Sequence, residues 1–103
     1  MSVVVVATIH PIPEHRTEVV TALEQTIPRV HAADPGCELY ALHEAEDCLV
    51  MIEKWATPEQ LAAHSAGPLL AELQAAWAGK LATDLEVQVL QPHPAGTDSQ
   101  GRL

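Results

Sequence analysis

Residues Val3-Val4-Val5-Val6-Ala7 run apolar with no polar alternate. Successive side chains of a strand point to opposite faces. A β-branched run of this kind, closed by Pro11 and Pro13, therefore describes a strand that is apolar on both sides. Leu49-Val50-Met51-Ile52 repeats the pattern, with Leu49 and Met51 on one side and Val50 and Ile52 on the other. An antiparallel sheet with one wet face would alternate apolar and polar; this one must be covered twice. The chain has 103 residues, one domain's worth, and supplies helices for one face only. The other face is expected to be covered by a second copy of the chain in a symmetric homodimer.

The remaining elements follow from spacing and turn chemistry. Val3–His10 reads as strand one. Val19/Val20, Leu23, Ile27 and Val30 recur at helical spacing, which predicts a helix from about Glu14 to Ala33. Pro28 removes the bond to the Glu24 carbonyl, so a kink or early end is expected there. Asp34-Pro35-Gly36 is a turn. Cys37–His43 and Leu49–Trp55 read as a hairpin around residues 44–47. Thr57-Pro58-Glu59-Gln60 is a helix start, with Thr57 as cap, Pro58 at the first helical position and Gln60 completing a capping box. That helix is predicted to reach Ala66, where Gly67-Pro68 breaks it. A third helix runs to about Ala78, with Leu69/Leu70, Leu73 and Trp77 as its apolar face and Gly79 as a C-terminal cap. Leu81–Leu90 reads as a last strand. The order is β-α-β-β-α(α)-β, the ferredoxin-like α+β arrangement with a four-stranded antiparallel sheet. Residues 1–91 make the domain, and 92–103, rich in Pro, Gly and polar residues, read as a flexible C-terminal tail.

Charge narrows the partners. The formal net charge is -9, with Lys and Arg together numbering 5, which argues against nucleic acid and anionic membranes. A heavily phosphorylated substrate would find few cations. No run approaches the roughly 20 apolar residues of a membrane span, and the N-terminus lacks a signal-peptide pattern, so the cytoplasm is the expected compartment. Cys37 and Cys48 fit no metal or redox spacing and, at different heights of one hairpin, read as separate thiols.

No zinc signature, phosphate-binding glycine loop or nucleophile elbow occurs. The candidate chemistry lies in polar groups on apolar elements. His64, one turn after Leu61, points inward and reads either as a satisfied core histidine or as a base or proton donor. Glu53 shares a strand face with Met51 and Trp55, where a carboxylate is costly unless paired. It reads either as a structural partner, of His64 or of a helix N-terminus, or as an acid or base with a raised pKa. Tyr40 and Trp55 are core aromatics or walls of a site. Thr8 and His10 share a face of strand one. His15, His31, His43 and His93 read as surface residues, and no histidine pair has a convincing metal spacing.

Asp34-Pro35-Gly36-Cys37-Glu38-Leu39-Tyr40 resembles the E-P-G-C-x-x-Y entry of the antibiotic biosynthesis monooxygenase (ABM) domain family. Glu53-Lys54-Trp55, followed by Thr57-Pro58 and ending on His64, resembles that family's E-x-W … a-x-H core. In element order the resemblance covers roughly residues 3–91. It implies a dimeric α+β barrel in which two sheets face each other, with a pocket between each sheet and its helices. Family members include cofactor-independent monooxygenases of quinols and polyphenols, haem-degrading enzymes and an isomerase of a phosphorylated signalling sugar. Carried over by position, His64 matches the helix-two histidine, Glu53 and Trp55 the strand residues beside it, and Tyr40 the strand-two tyrosine. Thr8 falls near an asparagine of the haem-degrading members. The sequence departs from the pattern in three places. The S-P-H step that often supplies a second histidine is here Gly67-Pro68-Leu69; the usual glycine after strand one is Glu14; and Thr8 and His64 stand where haem degradation uses Asn and Trp, which argues against that activity.

Three readings follow. In the first, the protein is a cofactor-independent monooxygenase of a small quinol or polyphenol, with O₂ as the second substrate and neither metal nor cofactor. His64 is then the base or proton donor, oriented by Glu53, while Trp55, Tyr40 and Leu69 bound the ring and Thr8 anchors it. In the second, the same His64–Glu53 pair serves an isomerase or tautomerase. In the third, the dimer binds a small apolar ligand without turnover.

Overall fold

The computed structural model describes residues 2–103. Strand β1 (Val3–Ile9) leads through a short 3₁₀ turn (Pro13–His15) into helix α1 (Arg16–Ala33). Strands β2 (Cys37–Glu44) and β3 (Leu49–Trp55) form a hairpin; helices α2 (Pro58–Ser65) and α3 (Pro68–Ala76) follow, and β4 (Glu86–Leu90) closes the sheet. The sheet order is β2-β3-β1-β4, all antiparallel. This is the α+β ferredoxin-like arrangement predicted from the element order.

Register separates the two faces. Val3, Val5, Ala7 and Ile9 of β1, Leu49, Met51, Glu53 and Trp55 of β3, and Tyr40 of β2 are buried beneath the helices. From above, Val19, Leu23 and Val30 of α1 and Leu73 of α3 complete this core. Each Val, Leu, Ile or Met side chain among them contributes on the order of 1.5–3 kcal/mol by leaving water. The opposite face carries Val4 and Val6, Val50 and Ile52, and Leu39 and Ala41, all half-buried, beside Thr8, Lys54, His43, Gln88 and Glu86, so apolar side chains line both sides of the sheet.

The elements depart from expectation where local rules met packing. Helix α1 does not end at Pro28 but continues to Ala33. Pro28 and Glu24 both lie on the exposed side, where water can serve the freed carbonyl, while Val30 beyond it is wholly buried and holds the last turn down. The last strand is half as long as predicted. Leu81 makes one isolated bridge to Pro11, Ala82 N–H donates to the His10 carbonyl at 2.7 Å, and the ladder resumes only at Glu86. Helices α2 and α3 end at Ser65 and Ala76, a little short of Ala66 and Ala78. Cys37 and Cys48 are free thiols. Residues 91–103 carry neither helix nor strand; they turn at Thr97–Gly101, and Lys54 Nζ donates to the Leu103 carbonyl at 2.9 Å. No helix among the described residues is long and apolar enough to cross a membrane.

Candidate active site

The site begins at the turn after α1. Asp34 caps that helix through its N–H to the Val30 carbonyl (3.0 Å), and Pro35 keeps it extended, at ψ 104°. Gly36 is buried where a Cβ would run into the Gln60 side chain, so the turn lies directly against the start of α2. That helix is fixed by its own cap: Gln60 N–H donates to Thr57 Oγ1 at 3.2 Å, with Pro58 at the first helical position. Two turns on, His64 faces inward. Its Nδ1 lies 2.8 Å from Asp34 Oδ2, the imidazole side chain 4% exposed and the carboxylate 25%. A carboxylate on Nδ1 holds the proton there and leaves Nε2 as the nitrogen with a free lone pair.

Two aromatic rings pack against the imidazole. The Trp55 ring lies 4.5 Å from it at 30°, and Tyr40 meets it edge-on at 5.2 Å and 71°. Trp55 Nε1–H donates to Glu53 Oε1 at 2.9 Å. Burial pushes the Glu53 carboxyl above its usual range; the Trp55 hydrogen bond and the nearby His64 oppose that rise. Burial, reinforced by the Glu53 charge, likewise pushes the Tyr40 phenol upward, so its hydroxyl stays protonated.

These groups surround a cavity of ≈ 100 Å³ between the sheet and helices α2 and α3, of the order of apolar cavities (roughly 150 Å³) that admit benzene. Tyr40, Glu53 and His64 line it together with apolar side chains, among them Met51, Leu70, Leu73 and Trp77. His64 Nε2, Glu53 Oε2 and Tyr40 Oη have no hydrogen-bond partner among the described residues, and none of them is fully sealed. The mouth lies toward β4, whose Val87 and Val89 line the cavity yet are 52% and 59% exposed because no helix covers that edge. No cluster of three or more His, Cys, Asp or Glu side chains among the described residues could hold a metal ion.

The profile of the antibiotic biosynthesis monooxygenase family matches residues 2–76, most of the chain. The chain belongs to the antibiotic biosynthesis monooxygenase family. Solved structures share its fold. The Mycobacterium tuberculosis protein Rv0793 superposes with a TM-score of 0.85 at 26% identity, covering 94% of this chain and 100% of its own. An antibiotic biosynthesis monooxygenase-type protein of Caulobacter crescentus gives 0.82 at 23% identity over 86% and 87%. A conserved Methanosarcina mazei protein gives 0.81 at 20% identity over 88% and 92%. No curated protein matches the sequence significantly. Membership of the family supports a monooxygenase-like function, and the solved structures share the fold.

Within this ABM fold the predicted residues do not all meet. His64, Glu53 and Tyr40 converge on the cavity. Trp55 is wholly buried behind His64 and backs the imidazole rather than bounding the cavity. Thr8, expected as a polar anchor, points away: it is paired with Val50 and Glu86 on the face opposite the helices, because strand periodicity puts even-numbered β1 residues there. Leu69 packs half-buried against the core while its neighbour Leu70 lines the cavity. His64 Nδ1 bonds Asp34 rather than the expected Glu53, whose Oε1 accepts from Trp55. The sequence marks Asp34 only as a turn former, although it occupies the acidic position of the E-P-G-C motif. Trp77 was read only as core, and it forms part of the wall.

Proposed function

We propose that this ABM-family protein is a cofactor-independent monooxygenase of a small quinol or polyphenol, with His64 as base and Asp34 as its positioning residue. The observation that carries this is the Asp34–His64 pair at 2.8 Å with the imidazole edge set in an apolar cavity. Asp34 holds the Nδ1 proton. Nε2 takes the proton of a phenolic hydroxyl, and the resulting phenolate is electron-rich enough to reduce O₂. Carbon–oxygen bond formation and loss of water then follow: quinol plus O₂ gives hydroxyquinone plus water, with one oxygen atom in each product. The proton held on Nε2 leaves with the water. Apolar walls strengthen the base–substrate interaction and keep bulk water out.

The test is oxygen uptake by the purified protein with reduced quinols and polyphenols, chelator present, beside His64→Ala. Uptake well above autoxidation in the wild type and lost in the variant is expected. Uptake no greater than autoxidation across the panel overturns the proposal.

We further infer that the second sheet face, with Val6, Ile52 and Ala41, is covered by a second copy of the chain. The two-sided apolar register of β1 and β3 supports this.

A further inference from the structure

Glu53 is a carboxylate without a cation. It is 6% exposed, sits mid-strand beside Tyr40, and accepts one hydrogen bond, from Trp55, on one oxygen only. The five Lys and Arg residues are engaged elsewhere: Arg16 with Glu44, Arg29 with Glu72, Lys54 with Glu38, Lys80 with Glu18 and Arg102 with Asp98. None of them lines the cavity. A buried carboxylate with an open oxygen and no counter-ion calls for a donor that the protein itself does not supply. It also makes the cavity hostile to a second anion, which would enter apolar surroundings already holding negative charge.

We propose that Glu53 is the specificity-determining residue of the cavity, accepting a hydrogen bond from the second hydroxyl of a neutral dihydroxy aromatic and turning away ligands that carry a carboxylate or phosphate. His64 Nε2 then takes the reacting hydroxyl, and Glu53 Oε2 reads the other. This rests on the cavity being the substrate site, as proposed above, and narrows the substrate to uncharged rings with two hydroxyls. A site built to bond a hydroxyl discriminates against the analogue that lacks it, because its own polar group is then left unpaired.

The experiment is anaerobic binding calorimetry with hydroquinone, phenol and 2,5-dihydroxybenzoate on the wild type, Glu53→Gln and Glu53→Leu. The wild type is expected to bind hydroquinone at least about tenfold tighter than either of the other two. Glu53→Gln keeps the shape and removes the charge; its amide oxygen stays with Trp55, and its NH₂ donates to the ligand hydroxyl, which can accept as well as donate. It should hold hydroquinone within about threefold while the penalty on 2,5-dihydroxybenzoate shrinks to about threefold or less. Glu53→Leu removes the acceptor and should bring hydroquinone and phenol within about threefold of each other. If Glu53→Leu fails to fold, the near-isosteric Gln variant carries the test alone. Equal affinities in the wild type, ratios unchanged by Glu53→Gln, or no binding of hydroquinone at all overturn the inference. Because binding is read without oxygen, its failure is separable from that of the monooxygenase reading. These ratios without oxygen uptake would sink only the reaction, and uptake without these ratios only the role of Glu53.

Discussion

The Asp34–His64 contact should be energetically coupled, and a double-mutant cycle can measure by how much. The pair is a 2.8 Å hydrogen bond to a charged group, with the histidine side chain 4% exposed and the carboxylate 25%. Bonds of this class are worth about 1.5–3 kcal/mol, and fully exposed ion pairs only about 0.2–1 kcal/mol. The sheltered histidine places the pair near the first class, and the partly wet carboxylate lowers it. A coupling of about 1–2 kcal/mol is therefore expected between Asp34→Ala and His64→Ala. Urea unfolding of the wild type, both single variants and the double variant, at one protein concentration and with unchanged m-values, reads it directly. The cycle cancels the cavity left by His64→Ala, which is common to two of its legs. Asp34→Asn should in turn lower the rate of oxygen uptake about 10–100-fold, the kinetic equivalent of losing about 1.4–2.8 kcal/mol of orientation and charge at Nδ1. A coupling below about 0.5 kcal/mol, together with an unchanged uptake rate in Asp34→Asn, would refute the claim that Asp34 positions the base.

Three further outcomes follow from other parts of the fold. Burial raises the Glu53 pKa, so its stability contribution is complete at acid pH, below the ordinary carboxylate value, and is lost as pH rises through the folded value; the thermal midpoint of Glu53→Gln relative to wild type should thus rise from pH 4 to pH 8, and a constant difference would contradict the sign. Gly36→Ala should destabilise by about 1–3 kcal/mol in urea unfolding, because its Cβ meets Gln60 while the Gly36 carbonyl is tied to Ala56 N–H at 2.9 Å; a loss under about 0.3 kcal/mol would show that Gln60 simply moves aside. Ile52→Glu on the outer sheet face should convert a dimer to a monomer in light scattering after size exclusion, and a wild type that is already monomeric would remove the case for a second copy.

Much of the fold was legible because its rules are local. The two-sided run of β1, the Thr57–Gln60 cap and the hairpin around residues 44–47 each depend on neighbours in sequence. Of the two outcomes expected at Pro28, the early end does not occur because its effect depends on exposure: a freed carbonyl on the wet side of a helix has water, and the buried Val30 beyond it does the rest. The last strand is shorter than predicted because apolar Leu81 and Leu85 pack against the core from an irregular stretch held by one isolated bridge, outside the ladder. Parity along the strands correctly put Glu53, Met51 and Trp55 on one face, and the same parity separates Thr8 from them. What no period could show was which carboxylate reaches His64, since Asp34 and Glu53 come to the helix from different elements.

The Asp34-Pro35-Gly36 turn joins fold and chemistry. Its Asp34 backbone N–H ends α1, the Asp34 carbonyl accepts from Cys37 N–H at 3.1 Å to start β2, and the Gly36 carbonyl accepts from Ala56 N–H as β3 gives way to α2. Through its side chain, the same Asp34 then fixes the imidazole carried by α2. A base held in this way depends on four elements meeting at one turn, so its position is set by the packing of the domain rather than by the helix that bears it. Backbone and side-chain roles of Asp34 are nevertheless separable, because Asn and Ala keep the three backbone bonds and change only what touches His64. A variant that loses more uptake than its lowered unfolding midpoint accounts for would place Asp34 in the chemistry, whereas uptake that falls only in step with the folded fraction would place it in the scaffold.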